Sequence, residues 1–167
     1  MERIIIGADH AGFSLKEAVK PYLTDRNLVI TDVGTHSDES VDYPDFGIPV
    51  AAKVATGEFK RGILVCGSGV GMTVVANKYP GVRAVLCLDK ETARLSRLHN
   101  DTNILVLAGR RTDADTAKTI IGTWLGTEFE GGRHQRRLGK ITDEETKLYR
   151  EKILEILDRR TGHSCQR

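Results

Sequence analysis

An open, doubly wound parallel α/β sheet is the fold class this sequence predicts, on three observations. Short runs of β-branched residues, apolar at nearly every position, recur along the chain, as strands covered on both faces require. Amphipathic segments alternate with these runs from one end to the other. The connections are short, so the strand–helix–strand units should wind right-handed around one sheet. A chain of 167 residues suits one domain, which buries roughly 70% of its unfolded surface.

In chain order the expected strands are Arg3–Ile6, Leu28–Thr31, Gly62–Val65, Ala84–Leu88 and Asn103–Leu107. Between and after them, Ser14–Thr24, Pro44–Ala55, Met72–Lys78, Lys90–Leu98 and Asp113–Leu125 read as helices. Ser14 followed by Glu17 reads as a capping box at the start of the first helix. A sixth helix is expected from Thr142-Asp143-Glu144-Glu145, a second capping box with acids opposing the helix dipole. Tyr149, Ile153, Ile156 and Leu157 then form an apolar stripe. No strand follows for this helix to cross to, so it packs on its own sheet or on a partner subunit; the partner is the expectation. Residues 1–150 are read as one domain and 151–167 as the helix end and a tail, with Thr161–Arg167 expected to fray.

Composition narrows the class. With 40% hydrophobic and 29% charged residues the chain is ordinary for a soluble globular protein. No apolar run approaches the ~18 residues of a membrane span. The start, MERIIIGADH, carries an acid and a short apolar run, which is no secretory signal. Cys66, Cys87 and Cys165 are an odd count without a CxxC pair, pointing away from a disulfide framework or zinc site and toward a reducing cytoplasm. From Gly131 onward ten Lys/Arg stand against six Asp/Glu, an excess that begins at Arg133, Arg136 and Arg137. This cluster reads as a solvated loop, as a nucleic-acid patch, or as a site for a small phosphate ester. Its shortness and lack of interleaved aromatics disfavour nucleic acid.

Ligands of open α/β sheets bind beyond the carboxyl ends of the strands, near the point where strand order reverses. Asp9 and His10 follow the first strand, Cys66 to Gly71 the third, Arg110 and Arg111 the fifth, and the fourth helix ends in His99-Asn100-Asp101. An acid, imidazoles, a thiol and guanidiniums are therefore expected along one edge. Singly each has a plain structural role, such as a helix cap for Asp9 or an inert buried thiol for Cys66. Their coincidence favours a site.

The stretch Cys66-Gly67-Ser68-Gly69-Val70-Gly71-Met72 only half fits a dinucleotide fingerprint. Gly67 and Gly69 match and Asp89 lies at a suitable distance, but Met72 occupies the third glycine position and no Walker motif is present. A nucleotide-sensing binding module is therefore the weaker reading. The loop suits a reacting carbonyl better: successive N–H groups converge at a helix start, Ser68 adds a hydroxyl, and the positive end favours the Cys66 thiolate. A base beside an oxyanion site is equipment for removing a proton α to a carbonyl, and needs no metal or organic cofactor.

GADHAG, DYPD at Asp42–Asp45, CGSGVGM, ANK, GVRAV, LSRLHNDTNIL and EGGRHQRR together resemble the type B ribose-5-phosphate isomerases, a family that includes galactose-6-phosphate and allose-6-phosphate isomerases. The resemblance runs through roughly residues 1–150 and implies a Rossmann-like five-stranded sheet with helices on both faces. It further implies a homodimer or dimer of dimers with shared active sites, the last helix crossing to the partner, and a sugar phosphate as small-molecule partner. By the same resemblance Cys66 shuttles the proton between C1 and C2, while Ser68 and the amides of Gly67, Gly69, Val70 and Gly71 hold the enediolate. His99 of the other subunit, helped by Asp9, opens the sugar ring, and Tyr43 and Asn100 contact hydroxyls. His10, Arg110, Arg133 and Arg137 hold the phosphate; Arg136 is read as a surface residue, and Asp42, Asp101 and Lys78 as structural. Ser68 departs from the family's usual threonine, keeping the hydroxyl but losing a methyl, which leaves a hexose phosphate or rare sugar as an alternative substrate.

Overall fold

The computed structural model of the chain describes residues 1–161. It divides into two compact units, Met1–Glu130 and a second beginning at Gly131. The first holds β1 (Arg3–Ala8), α1 (Phe13–Thr24), β2 (Val29–Asp32), α2 (Pro44–Ala55), β3 (Gly62–Cys66), α3 (Val70–Ala76), β4 (Ala84–Leu86), α4 (Lys90–Asn100), β5 (Ile104–Ala108) and α5 (Ala114–Gly126). The strands form one sheet in the order β2-β1-β3-β5-β4, every pairing parallel. Strand order reverses between β1 and β3, whose carboxyl ends carry Asp9 and Cys66.

Two cores result from the period-two alternation of side chains along the strands. Ile4, Ile6, Val65, Leu105 and Leu107 pack with Val19 and Leu23 of α1 and with Ile120 and Trp124 of α5. Ile5, Leu64, Cys66 and Val106 point the other way, to Val50 and Val54 of α2 and Met72 and Ala76 of α3. This is the doubly wound arrangement expected, and all five strands lie within a residue or two of their sequence-read bounds.

Helix starts were read less well. α1 begins at Phe13 with Gly12 as its N-cap and no side-chain cap, so Ser14 lies inside the first turn, and Glu17, the partner expected for it, is engaged by Lys16 at 2.9 Å and Lys20 at 3.0 Å. The second unit's helix α6 spans Arg133–Thr161, so Thr142–Glu145 lies in its interior and caps nothing. The basic run Arg133–Arg137 is therefore the opening of a helix rather than a loop. Gly131 (φ 73) and Gly132 (φ 54) form the left-handed turn before it. At 1.5 Å per residue α6 is about 43 Å long, and Ile141, Leu148, Tyr149, Ile153, Leu154, Ile156 and Leu157 on it are exposed. The fraying expected of the tail concerns 162–167, outside the described residues.

A buried ion cluster fixes the carboxyl end of β2. The wholly buried Lys16 donates to Asp32 Oδ2 at 2.7 Å, Lys20 donates to the same oxygen at 2.9 Å, and the Gly34 N–H donates to Oδ1 at 2.9 Å. Burial pushes the Asp32 carboxyl up, but these three hydrogen bonds outweigh it and hold it below its ordinary value. Glu17 shifts the same way: its slight burial acts upward and is outweighed by bonds from Lys16 and Lys20. A carboxyl lowered on folding stabilises the fold above its unfolded value of about 4, and that contribution is lost as pH falls through the folded value. Asp32→Asn should therefore cost about 1.5–3 kcal/mol in urea unfolding at neutral pH, since Lys16 and Lys20 lose a charged acceptor and keep only Glu17. The variant's stability should also fall less than the parent's when the pH is taken from 5 to 3.

Candidate active site

The site is assembled where β1 and β3 end side by side. Asp9 follows β1, and its N–H donates to Val65 O at 3.3 Å, prolonging the ladder between the two strands. The side chain is buried at 6% exposure, and its Oδ1 accepts from the Gly12 N–H at 2.9 Å, which fixes the carboxylate against the turn into α1. Asp9 is thus a turn-forming residue. The Nδ1 of His10 lies 3.2 Å from both the N–H and the carbonyl oxygen of Val41. The imidazole is thereby tied to the segment that leads into Tyr43.

Cys66 is the last residue of β3. Its side chain lies on the α2/α3 face and keeps 4% exposure at the top of that core. Its carbonyl accepts from the Gly109 N–H at 2.8 Å, and the next carbonyl, of Gly67, accepts from the Arg110 N–H at 3.1 Å. The ends of β3 and β5 are thus zipped together past the strands themselves, and the aliphatic stem of Arg110 lies over Gly67. Cys87, the other described thiol, is wholly buried, and burial pushes it up to about 12, which makes it inert as a base.

Gly69 turns the loop into α3 with φ 79, a conformation that side chains resist, and a Cβ there would collide with Leu86. Ser68 is exposed, and its Oγ accepts from the Val70 N–H at 3.4 Å. The Tyr43 ring leans on Gly71 so closely that a Cβ on that glycine would lie 2.8 Å from it. Met72, which stands where a dinucleotide fingerprint would have its third glycine, is wholly buried against Gly47 of α2, whose missing side chain makes the room. Asp89, the candidate ribose acid of a nucleotide site, is the N-cap of α4, accepting from the Thr92 N–H at 2.7 Å and the Thr92 hydroxyl at 3.0 Å. That carboxylate already has a structural task.

Cys66, Ser68, Gly67, Gly69, Val70, Gly71, Asp9, His10, Tyr43 and Arg110 therefore share one edge of the sheet. His99 and Asn100 do not join them. Both stand at the end of α4, and Asn100 O accepts at 3.1 Å from Arg83, which immediately precedes β4. They lie at the opposite, amino-terminal edge of the sheet. The expectation of one common edge is corrected here: a helix that follows a parallel strand runs back antiparallel to it, so its last residues finish where the strands begin. Asp101, with φ 43, closes α4 and pairs with Arg83 at 2.8 Å and Arg97 at 2.7 Å, the structural role expected of it. Arg133 and Arg137 are exposed on the first turns of α6, in the second unit. Leu86 and Gly47 went without a role in the sequence reading; the signal would have been a large apolar residue and a glycine answering Gly69 and Met72.

Among the described residues no helix is long and apolar enough to cross a membrane. Known proteins supply the remaining constraint. Ribose-5-phosphate isomerase B of Escherichia coli is 47% identical over 142 residues, 85% of this chain and 95% of that protein. The structure of Clostridium thermocellum ribose-5-phosphate isomerase B superposes with a TM-score of 0.85 at 50% identity, covering 87% of this chain and 99% of the other. That of Mycoplasma genitalium ribose-5-phosphate isomerase B with bound ribulose-5-phosphate gives 0.83 at 40% identity, over 86% and 96%. With the ribose/galactose isomerase sequence profile matching residues 4–141, on a sheet whose switch point carries Cys66 and its glycine loop, this chain belongs to the ribose/galactose isomerase family.

Proposed function

We propose that the chain interconverts D-ribose 5-phosphate and D-ribulose 5-phosphate, an aldose–ketose step of the non-oxidative pentose phosphate type. It needs no metal or organic cofactor and works in sites shared between two copies. The observation that carries this reading is Cys66 at the last position of β3, next to the Gly67–Gly71 loop and one strand from Asp9. The likeness to isomerases named for ribose 5-phosphate supports the substrate.

The furanose ring opens first. The partner subunit's His99 gives a proton to the ring oxygen while Asp9 takes the proton of the C1 hydroxyl, so the C1–O4 bond breaks and an aldehyde forms. The Cys66 thiolate then takes the C2 proton, and the electron pair moves through a new C1=C2 bond onto the carbonyl oxygen. Ser68 and the loop amides of Gly67, Gly69, Val70 and Gly71 receive that negative oxygen; each well-placed donor contributes about 2.7–4 kcal/mol of barrier lowering. The C2 hydroxyl loses its proton to O1, and the thiol returns its proton to C1, giving the ketose. Tyr43 and the partner subunit's Asn100 hold the sugar hydroxyls.

The phosphate carries about −1.5 to −2 charges at neutral pH and is held by His10, Arg110, Arg133 and Arg137, the planar guanidinium fork matching its oxygens. The exposed apolar side chains of α6 take the second copy as their cover, whether in a dimer or a dimer of dimers. Neither nucleic acid nor membrane is a partner in this reading. A cytoplasmic setting keeps the catalytic thiol reduced.

Cys66→Ala should lower kcat by at least 10²–10⁴-fold, the usual worth of a general base. Ribose 5-phosphate should still raise its melting temperature; undiminished turnover would reject Cys66 as the base. Mixing inactive Cys66→Ala and His99→Ala subunits should restore part of the activity, because each hybrid dimer holds one intact site; no recovery after verified exchange contradicts shared sites. Across aldose phosphates, kcat/KM for ribose 5-phosphate should exceed that for six-carbon analogues by about ten-fold or more, and a hexose preference would reassign the substrate to the room that Ser68 leaves.

A further inference from the structure

The motif beginning Glu130-Gly131-Gly132 opens on an acid that the mechanism above does not use. Glu130 Oε2 stands 3.9 Å from Nε2 of His99. The pair is braced at the backbone: the Glu130 N–H donates to Leu98 O at 3.0 Å, and Arg97 Nε donates to Thr127 O at 3.4 Å. Arg97 is itself buried and locked by Asp101 Oδ1 at 2.7 Å and Thr102 O at 2.6 Å. The segment Thr127–Glu130 is thereby fastened to the last turn of α4, which sets the Glu130 backbone next to His99 and leaves its carboxylate a short reach to the imidazole. With His99 a third exposed and Glu130 about half exposed, the pair sits at the surface, where an incoming sugar can meet it.

We propose that Glu130 is a positioning residue for ring opening: its carboxylate orients the His99 imidazole and offsets the positive charge the ring carries while it holds the proton destined for the sugar oxygen. The inference rests on the reading of His99 as the ring-opening group. Its consequence is selective. Ribulose 5-phosphate has its O5 esterified, so its C2 ketone cannot close a furanose and the molecule is always open-chain. Exchange of its C1 proton with solvent needs the thiolate and the oxyanion site, but not His99 or Glu130. Isomerisation of ribose 5-phosphate needs all of them.

The test compares both reactions, followed by NMR in D2O, in the full-length protein and its Glu130→Gln variant. Turnover of ribose 5-phosphate should fall about ten-fold in the variant, the scale of one charge interaction at this distance in a half-wet site. Exchange at C1 of ribulose 5-phosphate should be unchanged. Unchanged turnover overturns the proposal, and so does an equal fall in both reactions, which marks general structural damage. His99→Ala, run alongside, separates the two levels. If it spares exchange and loses ribose turnover while Glu130→Gln is silent, only the role of Glu130 fails; if His99→Ala leaves ribose turnover intact, the parent reading of His99 fails and the proposal with it.

Discussion

Direction is the constraint on which this molecule depends. In a parallel sheet every strand ends at the same edge, and every following helix must carry the chain back to the other. Residues at strand ends and residues at helix ends are therefore kept apart by the length of a strand, about 16 Å for the five residues of β3. Cys66, Asp9 and Arg110 are strand-end residues, and His99, Asn100 and Glu130 are helix-end or post-helix residues. The chemistry proposed here needs both sets around one sugar, and the main sheet of one chain holds them at opposite edges. In the proposed mechanism a second copy supplies what the topology of one chain withholds.

Within one edge, position is held by packing rather than by long polar side chains. Leu86 lies under Gly69, Tyr43 leans on Gly71, and Met72 fills the space left by Gly47, so the loop between β3 and α3 has little freedom to move. Hydrogen bonds from Gly109 and Arg110 carry the β3–β5 ladder past Cys66. On the far side, Asp32 and its two lysines tie down the segment that leads toward Tyr43, with the Thr35 N–H adding a bond to Ala8 O at 2.9 Å. Donors fixed this way lose little energy to reorganisation when charge develops, which is why such sites stabilise an oxyanion better than water does.

Much of this was legible in the sequence because its cause is local. Runs such as RIII, GILV and ILVL, short and rich in β-branched residues, suit strands covered on both faces, and the strand-end clusters GADHAG and CGSGVGM follow directly. Helix starts were less legible, because a capping pattern says what a residue could accept, not what competes for it. Glu17 was claimed by two lysines, and Thr142 fell inside a helix that continues through Gly139. The edge assignment of His99 failed for a different reason. It is a property of chain direction, which periodicity does not display, and the pairing of Glu130 with His99 depends on a return of the chain that no spacing encodes.

A crystal structure of the protein bound to a hydroxamate analogue of the enediolate tests the central claim most directly. The account predicts Cys66 Sγ about 3–3.5 Å from the atom that stands for the reacting carbon, the anionic oxygen on the Gly67–Gly71 amides, and an imidazole from the second copy at the sugar's ring-oxygen position. A ligand bound elsewhere, or a complete site formed within one chain with no residue from another, would contradict it.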